Sequence, residues 1–150
     1  MRACLVVGLA ALTCAACGGR EAKTTAAARE WRANATGALT QLQQDVAATS
    51  VGGTTRADAA RALANTSDLF GLLVAYSDLG GCRAMIVATT APPPIALSLA
   101  RPCAHLERAA ALFTRATIHS DPAALVSAGR EARLAQPQIV SALADLHRRP

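Results

Sequence analysis

Two cysteines, Cys82 and Cys103, are the residues whose type and spacing point most directly to a chemistry. They lie symmetrically on either side of the run Pro92-Pro93-Pro94. In an antiparallel helical hairpin, residues equidistant from the turn face each other, so this spacing predicts sulfurs within bridging range. The separation is much longer than a C-x-x-C redox motif, and no histidine pair completes a zinc spacing. A structural disulfide is therefore favoured over a redox pair or a metal pair.

Side chains that enzymes use for acid–base or nucleophilic catalysis are few and scattered. The sequence has no G-x-S-x-G or H-E-x-x-H motif, and its single lysine, Lys23, excludes an S-x-x-K arrangement. His105, His119 and His147 follow no metal-ligand spacing, and Glu107 does not face His105 on a helix because the two are two residues apart. We predict a protein without enzymatic activity, metal or cofactor. A histidine–carboxylate contact formed only in space is the alternative that stays open.

Positive charge is the second feature that suggests a contact surface. The chain carries 15 Lys and Arg against 10 Asp and Glu, a net charge of +5. Arg101, Arg108 and Arg115 recur at heptad spacing, on the face opposite the predicted core seam of their helix, where they could contact anionic headgroups or cell-wall phosphates. A solvated helix face is the alternative interpretation. Nucleic-acid binding is not predicted, because basic residues are not concentrated in one patch and aromatic residues make up only 3%.

The composition indicates an all-α domain. Much of the 52% hydrophobic content is alanine, which has the highest helix propensity, and runs typical of strands are nearly absent. We predict an antiparallel up-down four-helix bundle over residues 26–150, with a disulfide-pinned hairpin between its second and third helices. The predicted helices are A (26–48), B (55–88, kinked at Gly80-Gly81), C (96–118) and D (122–147).

Apolar periodicity predicts which face of each helix is buried. Thr54 or Thr55 is expected to cap helix B, and the oxygens of Ser120-Asp121 are expected to cap helix D ahead of Pro122. The predicted core positions are Trp31, Ala35, Ala38, Leu42 and Val46 in A; Ala59, Leu63, Phe70, Leu73 and Ser77 in B; Leu99, Cys103, Leu106, Ala110, Phe113 and Thr117 in C; and Leu125, Ala128, Ala132, Ala135, Ile139, Ala142 and Leu146 in D.

The N-terminal segment has the layout of an export signal. Met1-Arg2 is followed by the uncharged run Ala3–Ala16, which is too short to span a bilayer, and then by Cys17-Gly18-Gly19. This ending resembles the lipobox of bacterial prolipoproteins. The resemblance implies that residues 1–16 are removed, that Cys17 is lipidated with acyl chains such as palmitate, and that residues 17–25 tether the domain to the extracytoplasmic face of the cell membrane. Cleavage of an ordinary secretion signal before Cys17, leaving a free thiol, is the alternative.

Beyond this segment, the chain loosely resembles small helical actinobacterial lipoproteins of unknown function. The shared features are the Cys17-Gly18-Gly19 start, an early tryptophan at Trp31, the proline-rich turn and helices rich in alanine and leucine. The expected function is that of a non-enzymatic, membrane-anchored envelope module that interacts with a protein or a surface. The alternative is a carrier that holds a small apolar ligand or lipid in a cavity between the helices.

The anchor makes a prediction about covalent mass. Protein extracted from its own membranes in mild detergent should give a denatured mass that starts at Cys17 and includes acyl chains. The mass should also lack two hydrogens, because the predicted Cys82–Cys103 bond removes them. A chain that starts at Cys17 without added mass would instead indicate an ordinary secretion signal.

Overall fold

A computed structural model of the chain describes residues 17–90 and 93–148. These ranges form seven α-helices and one 3₁₀-helix and contain no strand, so the all-α prediction is confirmed. Contacts between residues divide the chain into two units. The first unit ends at Glu30 and is described as helix from Cys17, and the second unit begins at Trp31. The predicted signal peptide, 1–16, lies outside the described residues. The helices are α1 (Cys17–Ala48), α2 (Arg56–Ala64), α3 (Thr66–Gly80), α4 (Cys82–Ala88), α5 (Pro93–Ser98), α6 (Ala100–His119) and α7 (Pro122–Arg148).

Helix α1 begins earlier than predicted and ends where predicted. It starts at Cys17 rather than at residue 26, so the residues expected to form an irregular tether are helical. Its end at Ala48 leads into a 3₁₀ turn, Thr49–Gly52, that stops at Gly53. Gly53 has φ of 71°, a left-handed conformation that glycine adopts without the steric penalty of a side chain. The conformation of Gly53 therefore ends this helical segment.

The predicted helix B is three helices, because the chain breaks at Asn65 as well as at Gly81. Asn65 leaves the helical conformation (φ −94°, ψ 115°), and its side-chain oxygen accepts hydrogen bonds from Ser67 N at 2.9 Å and Asp68 N at 3.2 Å. A side chain that caps a new helix in this way competes with continuation of the previous one. At Gly81 the axis bends by 56°, and α4 then continues to the predicted end at Ala88.

The break at Asn65 makes the predicted buried face of α3 wrong. Phe70 is 67% exposed and Leu73 is 54% exposed, and Ser77 is exposed as well. The buried positions of α3 are Leu72, Ala75, Tyr76 and Leu79. The residue that interrupts the helix changes its phase, so a periodicity carried through position 65 selects the wrong side of α3.

The second half of the chain follows its sequence pattern closely. Predicted helix C is divided at Leu99 into α5 and α6, and predicted helix D is α7. Asp121 caps α7 by accepting from Ala123 N at 2.9 Å and Ala124 N at 3.2 Å. Pro137 lies on the exposed side of α7. The predicted core positions of helices C and D that are buried are Leu99, which precedes α6, and the α6 and α7 residues Cys103, Leu106, Phe113, Leu125, Ala128, Ala132, Ala135, Ile139 and Leu146.

Helix α6 is held on two sides. On one side, the Cys82–Cys103 disulfide is present with a Cα–Cα distance of 5.3 Å, which confirms the predicted pairing. Further along, Tyr76 of α3 stacks on Phe113, with ring centroids 4.5 Å apart and planes 15° from parallel. On the other side, α7 packs most extensively against α6, where buried alanines permit close approach of the backbones. As the α3–α4 numbers rise across these contacts, the α6 numbers fall, so the two segments run antiparallel.

The membrane-spanning potential of the described helices is limited to one bent pair. No single helix among them is both long and apolar enough to cross a bilayer, whereas α3 and α4 together satisfy the length and composition requirements. Leu72, Tyr76, Leu79 and Cys82 of this pair are buried in the core.

Removing the disulfide should destabilise the protein without changing its fold. Replacing both Cys82 and Cys103 with alanine should lower the free energy of unfolding by about 3 kcal/mol, because the unfolded chain loses a constraint on its loop entropy. Urea unfolding of the full chain, followed by circular dichroism, measures this change. Wild-type protein reduced with dithiothreitol is the control and should lose a similar amount. A change under about 0.5 kcal/mol in both samples would contradict the prediction.

Candidate functional site

Among the residues with described side chains, the tertiary structure creates one histidine–carboxylate contact. His105 Nδ1 of α6 lies 2.7 Å from Glu131 Oε2 of α7, and Arg108 Nη1 lies 3.4 Å from the same oxygen. Glu107, the acid nearest to His105 in sequence, instead pairs with Arg83 at 2.9 Å. The contact follows from the antiparallel register of α6 and α7, which places residues 105 and 131 at the same level. The spacing of residues within either helix does not show this register.

This contact lacks the other parts of a nucleophilic site. Such a site needs a nucleophile within hydrogen-bonding reach of the base. Ser127, one turn before Glu131 on α7, donates its hydroxyl hydrogen to Ala123 O at 2.9 Å. His119 and His147 are exposed on other parts of the domain. The geometry of His105, Glu131 and Arg108 is that of a polar network that joins two helices.

The predicted arginine stripe is divided by acidic partners. Arg108 pairs with Glu131, and Arg115 Nε lies 3.8 Å from Asp121 Oδ2. Arg101 is exposed and forms no ion pair with any residue in 17–90 or 93–148. Contact of all three arginines with an anionic surface stays a prediction, and Arg101 is the member whose charge has no local counter-ion.

An apolar groove lies between α3 and α6. Its volume is about 360 Å³, and it is open to solvent. The stacked rings of Tyr76 and Phe113 are among its lining residues and are themselves buried, so they form its floor. The remaining lining residues are Leu73, Ser77 and Gly80 of α3 and Ala110, Thr114 and Thr117 of α6, none of which is charged.

The threonines of α6 add little polarity to this groove. Thr114 Oγ1 donates to Ala110 O at 3.1 Å, and Thr117 Oγ1 donates to Thr114 O at 2.9 Å. Because the hydroxyls bond to their own helix, the hydrogen-bonding capacity that they offer a ligand is reduced. Gly80 allows α3 to approach α6 closely at one end of the groove, because an added Cβ would lie 3.2 Å from the Cβ of Ala110. The groove is suited to apolar side chains.

Exposed apolar side chains flank one end of the groove. Phe70, Leu73 and Val74 of α3 are exposed, and Ile118 of α6 is 70% exposed. In the antiparallel register given by Tyr76 and Phe113, Phe70 lies level with the last turn of α6, which contains Ile118. Sequence reasoning missed this surface because it assigned Phe70 and Leu73 to the core. A signal for the break, Asn65 followed by Thr66, Ser67 and Asp68, was present in the sequence.

A buried carboxylate is the main electrostatic feature of the core. Asp45 of α1 is 6% exposed, and Gln41 Nε2 donates to its two oxygens at 3.1 and 3.3 Å. Desolvation raises the pKa of Asp45, and the negative charge of Asp78 raises it further, while the Gln41 hydrogen bond acts in the opposite direction. Burial also raises the pKa of Tyr76 to about 12. Asp45 shares a heptad face with Leu42 and Thr49, which is the pattern that could have revealed its burial.

Neither metal ligation nor similarity supplies a further clue to function. Within the described ranges, no group of three or more His, Cys, Asp or Glu side chains is arranged to hold a metal ion. Comparison of the chain with protein-family models, curated proteins and solved structures found no match. The function is therefore inferred from the residues and their geometry.

The buried carboxylate makes a prediction about pH. Because the folded-state pKa of Asp45 is raised above 3.8, its contribution to stability is greatest at acidic pH and is lost as pH rises through the folded-state value. Asp45→Asn should therefore stabilise the protein at pH 7, with a gain that shrinks near pH 3.5, in urea unfolding of the full chain.

Asp58→Asn is a control for which the expected change in stability at pH 7 has the opposite sign. A hydrogen bond from Thr55 lowers the pKa of Asp58, so this substitution should destabilise the protein at pH 7. A loss of stability in Asp45→Asn at pH 7 would contradict the interpretation that the Asp45 charge is unfavourable in the folded state.

Proposed function

We propose that this chain is a non-enzymatic lipoprotein of a bacterial envelope, and that its helical domain binds another protein through the groove between α3 and α6. Acylation of Cys17 would hold it at the extracytoplasmic face of the cell membrane. The observation that carries the proposed binding role is the exposed apolar surface at the groove, where Leu73 lines a floor made by two stacked rings and Phe70 and Ile118 flank one end.

A partner bound at the groove would remove exposed apolar surface from water. Apolar surface removed from water contributes about 25 cal/mol per Å². Aromatic and large aliphatic side chains that enter a preformed pocket account for much of the affinity of many protein interfaces. Phe70 and Ile118 are exposed beside such a pocket, so a partner could cover them while inserting its own side chain between α3 and α6.

The shape of the groove indicates the kind of partner. It runs between two antiparallel helices and is lined by uncharged residues along both. An amphipathic helix placed in a hydrophobic groove presents anchors at i, i+3, i+4 and i+7, which suits a groove of this form. We propose that the partner contributes a helix with an apolar face.

In this proposal a four-helix arrangement provides the rigid frame. Helices α1, α3, α6 and α7 would be its members, with α2, α4 and α5 as connecting segments. Buried residues from all four contribute to one core cluster, including Leu39, Tyr76, Leu106 and Leu125. The Cys82–Cys103 bond supports the frame because it joins the end of the α3–α4 segment to α6.

A carrier of a small apolar ligand is the second candidate. Two described grooves favour it, the one between α3 and α6 and a smaller one of about 190 Å³ beside the disulfide. Sites that enclose drug-sized ligands usually measure about 300–1,000 Å³ and bury most of the ligand. These grooves are open, so they fit a ligand less well than they fit a protein side chain. An extra small mass in the native mass spectrum of the detergent-extracted protein would favour the carrier.

Disrupting the groove should prevent binding. A photo-cross-linking amino acid at Ser77, in the full chain in intact cells, should give one discrete adduct with another envelope protein. Leu73→Glu should reduce the yield of that adduct by about tenfold, because it places a charge on the apolar wall. Gel electrophoresis and mass spectrometry of the adduct measure both effects.

Leu134→Glu is the matched control, because Leu134 on α7 is 49% exposed and lies outside the groove lining. This variant should leave the adduct unchanged, and thermal unfolding should show that both variants fold. An adduct that persists in Leu73→Glu, or no adduct at all, would contradict the proposal. An adduct between two copies of this chain would indicate a homodimer interface instead of a separate partner.

A further inference from the structure

We infer that the end of the disulfide-closed hairpin docks on the surface of an anionic lipid bilayer. This end, called the hairpin tip here, comprises the described residues 84–90 and 93–100, which include most of α4 and all of α5. It lies at the start of α6, whereas Ile118 and the exposed end of the α3–α6 groove lie at the last turn of α6. The two surfaces are therefore separate.

The first observation is an uninterrupted uncharged segment with exposed apolar side chains. Residues 84–100 contain no Asp, Glu, Lys, Arg or His. Val87 of α4 is 75% exposed and Leu97 of α5 is 74% exposed, more than any other large hydrophobic residue with a described side chain. Val87 lines the smaller groove together with Ile86, Ala96 and Leu99 among others, and Leu97 adjoins Ala96 in sequence. Large apolar side chains at such exposure are characteristic of a surface that is covered by a partner or a membrane.

The second observation is that the hydroxyl groups of the tip are satisfied locally. Thr89 Oγ1 donates to Ile86 O at 2.7 Å, Thr90 Oγ1 to Thr89 O at 2.7 Å, and Ser98 Oγ to Ile95 O at 2.8 Å. A polar group that enters an apolar medium without a partner costs several kcal/mol. Because these three hydroxyls keep their partners when water is removed, the tip can enter the boundary region of a bilayer at reduced desolvation cost.

The third observation is the position of positive charge. Arg83 and Arg101 border the uncharged segment, and the disulfide beside them holds their two helices together. Arg101 forms no ion pair with the described part of the chain, and the exposed Arg83 contacts Glu107 through Nε. Guanidinium groups bind phosphate well, and basic residues next to a membrane are attracted to anionic lipids.

These observations select lipid over a protein partner. An apolar end bordered by arginines is the arrangement of segments that lie at the boundary of headgroups and acyl chains. The uncharged segment carries no acidic residue that anionic lipid would repel. Docking of the hairpin tip on lipid does not depend on the groove between α3 and α6. It concerns the orientation of the domain at the membrane rather than the presence of an acyl anchor.

The test places a tryptophan at the tip of the full chain. In a Trp31→Phe background, Leu97→Trp is reconstituted in vesicles of phosphatidylglycerol and phosphatidylcholine that carry bromine on the upper acyl carbons. Bromine quenches indole fluorescence at short range, so quenching reports contact with lipid. Ile118→Trp in the same background is the matched control, because Ile118 is 70% exposed at the other end of α6. Any anchor is the same in both variants.

We expect quenching at position 97 to exceed quenching at position 118 by about twofold or more. The difference should shrink in phosphatidylcholine alone, and also when Arg83→Gln and Arg101→Gln are added, because both changes remove the electrostatic attraction. Equal quenching at the two positions, or none at position 97, would overturn the inference.

Hydrogen exchange on the unmodified chain provides a second measurement if the tryptophan variants fail to fold. Vesicles containing phosphatidylglycerol should slow exchange in residues 84–100 relative to vesicles of phosphatidylcholine alone, and should leave the end of α6 unchanged. Protection of the tip in intact envelopes but not on pure lipid vesicles would overturn the inference and indicate a protein partner. Neither result bears on the cross-link expected at Ser77, so the two proposals fail separately.

Discussion

The covalent bond between Cys82 and Cys103 sets the register on which the two proposed surfaces depend. It joins α4 to α6 one residue from Arg83 and two residues from Arg101. Toward the start of α6, the bond closes the base of the hairpin tip. Toward the end of α6, the same register brings Tyr76 level with Phe113 and Gly80 level with Ala110, which creates the groove. A shift of one turn between these segments would remove both features.

A core built mainly from alanine and leucine limits how the domain can be stabilised. Aromatic residues supply much of the buried area in many cores, but this chain has one Trp, one Tyr and two Phe. Tyr76 and Phe113 pair with each other in the core, while Phe70 is exposed. Close packing of α6 against α7 and the disulfide compensate for the lack of large buried side chains. Because this domain has so few aromatic residues, the exposed side chain of Phe70 marks a surface that a partner could bind.

Polar groups in this domain are mostly satisfied by their own helices or by neighbouring helices. The hydroxyls of Thr89, Thr114 and Thr117 bond to nearby carbonyl oxygens, and the charges of Arg108 and Arg115 are paired with acids. Both grooves consequently offer mainly apolar contacts, which suits partner side chains or acyl chains better than polar substrates. Asp45 also has a hydrogen-bond partner in its own helix, Gln41, but its carboxylate lies in the core at an electrostatic cost.

The sequence by itself determined those features that depend on local signals. Asp121 and Thr55 cap their helices because a short polar side chain reaches backbone N–H groups two or three residues ahead. The core faces of α6 and α7 follow from uninterrupted periodicity, and the disulfide follows from symmetry about the prolines. A capping signal at Asn65 was present in the sequence, but only the tertiary structure decided that the side of α3 with Leu72 and Tyr76 faces the core, because the break at Asn65 rotates the later residues of α3 about the helix axis. It also decided that His105 meets Glu131 and that Asp45 is buried, since these contacts depend on how separate helices pack and not on the spacing within either one.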